Sequence, residues 1–314
     1  MKSPIRVGVV GIGHLGKEHA RIYRELPQAE LVGICDTDSS KKEKADALGC
    51  RFFNRYKDMI GHVDAVSIST PTSSHYEVAK SFLSAGVHTL IEKPITLRLD
   101  HADELLEIAV SKNLGLQVGH IERHNPGFKR IEEIAKNIRF FEIHRLGPFT
   151  GRVNDCGVVL DMMIHDIDIV MGLVKSEIVS FDAVGINVLT PFEDIANVRI
   201  KFKNGAVADL TASRLTPEKQ RKIRIFQEDA YISLDYAEQT AKIFRKQAFR
   251  ITQEKVDIQQ SEPLKEEIQF FLNRLQSGAN LGKPDVAARD ALRFALEIVE
   301  TIQKNQKEPS LAAS

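Results

Sequence analysis

The sequence predicts an α/β fold in two domains: an N-terminal doubly wound parallel sheet, then an α+β domain with a large open mixed sheet. Three observations predict it. Short apolar runs alternate with helical patterns over the first 120 residues or so, and a glycine-rich turn joins the first run to the first helix. After about residue 125 the segments become longer, alternate apolar with polar, and are joined by tight-turn signals.

In chain order, the runs IRVGVVG, ELVGICD, DAVSIST, HTLIEK and LGLQVGH read as strands. Continuous Val/Ile runs with helices between them are parallel strands buried on both faces. The helical patterns are Lys17–Leu26, Ser39–Leu48, His75–Ala85 and Asp100–Lys112. The change of pattern puts a domain boundary after residue 121, giving domains 1–121 and 122–314. In the second domain, RFFEIHRLG precedes the apolar helix DCGVVLDMMIHDIDIV. It is followed by EIVSFDAVGINVL, ANVRIKF, GAVADLTASRL, RKIRIFQ, AYISLDY, TAKIFRK and FRITQEKVDI. Alternation with short turns such as Lys203–Gly205 predicts an antiparallel or mixed sheet with one face covered. The chain returns to helix at Leu264–Gln276 and Asp285–Gln303.

Composition excludes several classes. Lys+Arg and Asp+Glu are both 43, so the net charge is zero, which argues against a nucleic-acid partner. No apolar run is long enough to span a bilayer, and the N-terminus runs straight into a strand, so a cytoplasmic protein is expected. The three cysteines lack CxxC spacing and sit in apolar contexts, which suggests a reducing compartment and no zinc site.

The first turn reads Gly11-x-Gly13-x-x-Gly16, with Ile12, His14 and Leu15 completing it. Between a strand and a helix, such glycines let the backbone approach a dinucleotide pyrophosphate at a helix N-terminus, the Rossmann arrangement. Asp36 ends the second strand about 20 residues on, where a carboxylate binds ribose hydroxyls. No arginine follows to receive a 2′-phosphate, so NAD is expected in preference to NADP. The same turn without a ligand remains the alternative. Ser69, Thr70, Pro71 and His75 follow the third run, at the strand end where doubly wound folds bind ligands. Simple helix capping by Thr72 or Ser73 explains the same loop equally well. Glu92 and Lys93 end the next run, and a lysine there either points into the crevice or is a solvated loop residue.

In the apolar helix, Leu160, Ile164, Ile167 and Met171 form a core stripe. Asp161, His165 and Asp168 fall on the neighbouring stripe. Charge beside a core is costly unless paired or used, so the helix holds either a catalytic pair or a satisfied core histidine. A histidine, with an unperturbed pKa of about 6.5, suits proton removal from a hydroxyl near neutral pH. A lysine ammonium suits a developing alkoxide. No metal is needed, and no clustered ligand set demands one.

The ordered set of GxGxxG, EKP at Glu92–Pro94, VGHIERHNP at Val118–Pro126 and Asp161-x-x-x-His165 resembles the Gfo/Idh/MocA oxidoreductases over the whole chain. The resemblance implies NAD(P)-dependent oxidation of a sugar or cyclitol hydroxyl. It also implies that Lys93 contacts the reacting hydroxyl, His165 accepts the proton and Asp161 positions substrate or histidine. An open sheet that forms homodimer or homotetramer contacts is implied too. The segments VGHIERHNPGF and DCGVVLDMMIHDIDIV are similar to the UDP-N-acetylglucosamine 3-dehydrogenase branch, whose 3-keto product leads to a 3-amino sugar for lipid A. His124 departs from that branch, where phenylalanine is expected. For such a substrate, Arg123, Arg145 and Arg152 are candidate diphosphate contacts, with surface salt bridges as the alternative. His124 and Asn125 complete the substrate-side expectation. Dehydrogenation of a free sugar or inositol, or a silent dinucleotide or sugar sensor, are the competing functions.

Overall fold

A computed structural model describes residues 3–151, 153, 155–247, 250–283 and 285–307. The chain divides into two compact units, residues 1–121 with 262–289 and residues 122–261 with 290–314.

In the first unit, β1 (Ile5–Val10), α1 (His14–Glu25), β2 (Ala29–Cys35), α2 (Lys42–Leu48), β3 (Arg51–Phe53), β4 (Ala65–Ile68), α3 (Thr72–Ser84), β5 (His88–Glu92), α4 (Leu99–Ser111) and β6 (Leu116–Gly119) alternate. The six strands are all parallel, in the order β3-β2-β1-β4-β5-β6. The order reverses on either side of β1, so the carboxyl ends of β1 and β4 flank a switch point, where doubly wound folds bind ligands. β3 was not anticipated. Three residues with only Phe53 buried carry too little periodicity to read as a strand.

The sequence reading assigned residues 262–289 to the second domain, and the structure places them with the first. The cause is the apolar face of the helix Pro263–Ser277. Leu264, Ile268, Phe271 and Leu272 join one buried cluster with Val7, Val9, Ile22 and Tyr23. Fully burying each such side chain stabilises by about 1.5–3 kcal/mol. The attachment is reinforced by Lys265 with Glu25 and by Arg274, which donates to Leu116 O at 3.1 Å.

The second unit contains α5 (Pro126–Ile134), β7 (Phe140–Leu146), α6 (Ile164–Val174), β8 (Ile178–Ile186), β9 (Ile195–Phe202), β10 (Val207–Ser213), β11 (Gln220–Phe226), β12 (Ala230–Asp235), β13 (Thr240–Gln247) and β14 (Arg250–Val256). The helix Pro263–Ser277 is α7, and α8 (Val286–Lys307) closes the described chain. The eight strands run in the order β14-β13-β12-β11-β7-β10-β9-β8. Only β7 and β10 pair in parallel, so the sheet is mixed, as expected. β7 sits near the middle. Its odd residues Phe141, Ile143 and Arg145 are buried, while Phe140, Glu142, His144 and Leu146 are only half-buried.

That second face carries stacked and tilted rings from Phe140 through Phe226 and Tyr231 to Phe244. Beside them is a shallow cavity of about 430 Å³ lined by Phe140, Glu142, His144, Asn197, Arg199, Asp209 and Thr211. Among the described residues, Cys35, Cys50 and Cys156 form no disulfide. No helix among the described residues is long and apolar enough to cross a membrane.

Candidate active site

In the first unit the glycine turn is shaped by contacts that admit no side chain. Gly11 has φ +87°, and a Cβ there would lie 2.8 Å from Ser69 and Thr70 backbone atoms. A Cβ on Gly16 would lie 1.8 Å from Gly11 O, so α1 starts directly against the turn. Gly13, by contrast, is exposed and would meet nothing within 4 Å, as a position facing a ligand should. Gly13, His14 and Leu15 lie on the exposed side of the turn, at the N-terminus of α1, where amide hydrogens point outward and favour an anion. Ile12 has a different role, because its side chain is buried in the core cluster and its amide donates to Asp36 Oδ2 at 2.7 Å. Asp36 Oδ1 also accepts from Asp38 N at 2.9 Å. The carboxylate therefore stands fixed at the end of β2, beside the turn.

Ser69, Thr70 and Pro71 follow β4. The Ser69 hydroxyl oxygen is buried with no protein partner among the described residues, and an orphaned donor at a strand end fits a dinucleotide group. Thr70 Oγ1 accepts from Ser74 Oγ at 2.8 Å. His75 is 1% exposed, and its two ring nitrogens lie 2.9 Å from Thr70 O and Pro94 O. The histidine thus links the Thr70 loop to the loop after β5.

Glu92 ends β5, and half-buried Lys93 follows it. Glu92 Oε1 lies 2.9 Å from His19 Nε2, His19 Nδ1 lies 3.0 Å from Ser67 Oγ, and Tyr23 Oη lies 2.7 Å from the same Ser67 oxygen. Burial pushes the Glu92 carboxyl up. The bond from His19 and the charges of Lys93 and His75 outweigh burial and hold it below its usual range. His19, Ser67 and Tyr23 were not singled out from the sequence. His19 at i+3 from Gly16 was the available signal, because it places an imidazole on the inner face of α1.

In the second unit, the site helix begins with a π-helical turn, Val159–Met163, and continues as α6. The wider turn changes the ideal i, i+4 relation between Asp161 and His165, and such turns recur at functional sites. The expected single buried stripe is also too narrow. Every residue from Ile164 to Val170 is buried, including His165 and Asp168 at 8% and Asp166 at 1%.

The acids find partners that the sequence did not reveal. Arg145 donates to Asp166 through Nε and a terminal nitrogen at 2.8–3.1 Å and to Glu122 Oε1 at 3.0 Å. Arg145 is only 4% exposed, so this candidate diphosphate contact is instead the cation of a buried cluster. Burial pushes the Asp166 carboxyl above its usual range despite that cation. Arg123 donates to Asp168, with Nε to Oδ2 at 2.7 Å. The Asn125 carboxamide oxygen accepts from Gly127 N at 2.9 Å, capping α5 ahead of Pro126. His124 is held as the neutral ring. Burial, then the charges of Lys129 and Arg123, push its pKa down to about 4. Arg152 lies outside the described residues.

A loop clamp holds the start of the π turn. The Glu193 carbonyl and carboxylate accept from Val158 N at 2.9 Å and Val159 N at 3.1 Å. A Cβ on Gly157 would lie 2.1 Å from Glu193 carboxylate atoms, so only glycine lets that acid reach the helix start. Next to it, Asp194 accepts from Val188, Leu189 and Thr190 amides at 2.6–3.0 Å and from Arg214 Nε at 2.7 Å. Arg214 also reaches Cys156 O at 3.3 Å. Among the described residues, no group of three or more His, Cys, Asp or Glu could hold a metal ion.

Comparison with known proteins agrees with this architecture. Residues 5–120 match the profile described as "Oxidoreductase family, NAD-binding Rossmann fold", and residues 138–233 match the "GFO/IDH/MocA C-terminal domain". The chain is 38% identical to UDP-N-acetylglucosamine 3-dehydrogenase from Acidithiobacillus ferrooxidans, covering 94% of this chain and 96% of that one. A solved structure of that enzyme superposes with a TM-score of 0.88, covering 96% of this chain and 98% of the other. The scyllo-inositol 2-dehydrogenase (NAD(+)) of Bacillus subtilis is 31% identical over 69% of each chain. The protein therefore belongs to the Gfo/Idh/MocA family of oxidoreductases, and NAD is the cofactor of its Rossmann unit.

Proposed function

We propose that the protein oxidises the 3-hydroxyl of UDP-N-acetylglucosamine to the 3-ketone. One observation carries the reading: the similarity to a dehydrogenase of that name runs through both units, whereas similarity to an inositol dehydrogenase stops at 69% of the chain. NAD, when bound, supplies the hydride acceptor. Gly11, Gly13, Gly16 and the amides of His14 and Leu15 hold its diphosphate, Asp36 its ribose, and Ser69, Thr70, Pro71 and Glu92 line the rest.

Lys93 donates to the reacting hydroxyl and stabilises the negative charge that develops on its oxygen. His165 takes the hydroxyl proton, and Asp161 positions the histidine or the sugar. Arg123, His124, Asn125 and Arg152 belong to the substrate side, with Asn125 acting through the start of α5. A 3-ketone is the substrate an aminotransferase needs, which suits supply of a 3-amino sugar for lipid A. The protein acts in the cytoplasm as a homodimer or homotetramer, joined through the half-exposed sheet face that carries Phe140, Phe226 and Tyr231. Light scattering that finds only monomer at micromolar protein would contradict the assembly.

The test of function is a panel of UDP-N-acetylglucosamine, other UDP-sugars, free N-acetylglucosamine and myo-inositol with NAD, followed by nicotinamide absorbance. UDP-N-acetylglucosamine is expected to have the highest kcat/KM. Faster turnover of a free sugar or inositol, or no turnover of any substrate, overturns the reading.

A further inference from the structure

Two buried histidines of the first unit have opposite hydrogen-bonding surroundings. His19 faces one carboxylate, Glu92, and one hydroxyl, Ser67. The carboxylate only accepts and the hydroxyl can donate, so a ring with one proton, on Nε2, satisfies both contacts. Ser67 then donates to His19 Nδ1 and accepts from Tyr23, so the relay is complete without a second proton on His19.

His75 has no such solution. Its ring nitrogens each lie 2.9 Å from a main-chain carbonyl oxygen, and a carbonyl oxygen can only accept. A neutral ring would aim one nitrogen lone pair at a carbonyl lone pair in a site that is 1% exposed to water. Leaving buried acceptors so opposed is costly, because that contact then does nothing to offset their desolvation. Only the imidazolium turns both contacts into hydrogen bonds. Its burial is offset by two carbonyl dipoles and by the Glu92 carboxylate, close enough that the two charges favour each other. The other charged or titratable groups about this region are Lys93 after β5, His19 on α1 and, on α4, His101 and Glu104, which meet the neighbouring Tyr76.

We propose that His75 is held as an imidazolium and acts as a positioning residue, tying the Thr70 loop to the Pro94 loop so that Lys93 and the cofactor-lining residues keep one fixed relation. The sequence reading placed the same ring against the cofactor. Both of its nitrogens are instead committed to the chain itself. The catalytic part of the proposal rests on the function proposed above. Its protonation and cofactor parts do not.

The test is nitrogen NMR of the protein labelled in its ten histidines, with the His75 signals identified by their loss in His75→Gln. His75 is expected to carry protons on both ring nitrogens, and to keep them between about pH 6 and pH 8, while exposed histidines titrate. Glutamine can reproduce only one of the two bonds, so His75→Gln is expected to weaken NAD binding about tenfold and to lower kcat by a similar factor. A single ring proton at about pH 7, or titration like that of an exposed histidine, overturns the proposal even if His75→Gln does not fold, because the wild-type ring is what is measured. Unchanged NAD affinity and kcat in folded His75→Gln overturn the positioning role. Absence of UDP-N-acetylglucosamine turnover, with both protons still present on the ring and weakened NAD binding in the variant, sinks the substrate assignment and leaves this one standing.

Discussion

Beneath the cofactor-side loops of the first unit, the buried polar groups form a directional chain: Tyr23, Ser67 and His19 lead to the single carboxylate of Glu92. In the second unit, several buried acids are held in ion pairs: Glu122 and Asp166 with Arg145, Asp168 with Arg123, and Asp194 with Arg214. The difference teaches how each unit fixes its functional side chains. A chain of mostly neutral groups sets orientation and is cheap to bury. Ion pairs fix positions by charge balance, and losing one partner leaves an uncompensated charge in a medium of low dielectric. The Glu92 carboxylate is therefore set mainly by orientation, and the acids of the site helix mainly by charge.

The largest expected effect lies in the chemistry rather than in the fold. His165→Asn should lower turnover by about 10²–10⁴-fold with NAD affinity nearly intact, and Lys93→Met should also lower it, with the double variant far less than additive. Turnover per folded molecule and the melting temperature, measured on one His165→Asn preparation, decide the matter. A lower melting temperature with full turnover would make His165 a structural residue.

Stability contrasts the units directly. Arg145→Met should destabilise by about 3–5 kcal/mol, because Glu122 and Asp166 lose the cation they share. Ser67→Ala should cost about 1–3 kcal/mol, the loss of one buried neutral link. Urea unfolding of both variants measures the ratio. Equal costs would erase the distinction between the two units.

A pH measurement sharpens the comparison. Burial pushes the Asp194 carboxyl up, but the amides of Val188, Leu189 and Thr190 and the Arg214 guanidinium outweigh it and hold it well below the usual carboxylate range. A group whose folded pKa is depressed contributes stability that is full above its unfolded pKa, about 3.9, and is lost as pH falls toward the folded value. Acid unfolding should therefore steepen below about pH 4, and Asp194→Asn should flatten that limb while costing stability at neutral pH. An unchanged acid limb would show that Asp194 is not its source.

Cofactor choice is expected to change by a smaller amount. The Asp36 carboxylate would repel a 2′-phosphate, so Asp36→Ala should narrow the preference for NAD over NADP by about tenfold, or 1.4 kcal/mol. Titration of both cofactors into both proteins reads it, and equal or tighter NADP binding by the unaltered protein would refute the assignment. A second pH-dependent effect belongs to His124. Its folded pKa of about 4 lies below the unfolded value, so the unfolded chain binds the extra proton first and stability falls as pH drops from about 6.5 toward 4. His124→Phe should remove that loss, raising the melting temperature at pH 5 more than at pH 8. A pH-independent change would mean that the ring's proton plays no part.

The glycine turn was legible because its requirement is local. Gly11 needs a positive φ and Gly16 must admit the turn's own carbonyl, and both constraints act within six residues. Asn125 has a second, equally local role. Asn-Pro-Gly is a helix-start signal, with a side-chain cap and proline in the first turn, and it fixes where α5 begins. Glu122, Asp166 and Arg145 were illegible as a set, because neither charge type nor periodicity says which acid will meet which base across a sheet.

The sequence by itself determined the strands other than β3 and the helices other than α5, the dinucleotide turn, Asp36 at the end of β2 and the mixed character of the second sheet. Each of these depends on residues a few positions apart, where backbone sterics and side-chain period act directly. Tertiary structure alone decided that α7 completes the first unit, that Arg145 is buried between two acids, that a π turn sets the start of the site helix and that His75 bridges two loops. Those outcomes depend on apolar faces and charges that meet from distant parts of the chain. Their partners are selected by burial and desolvation, which a linear pattern does not encode.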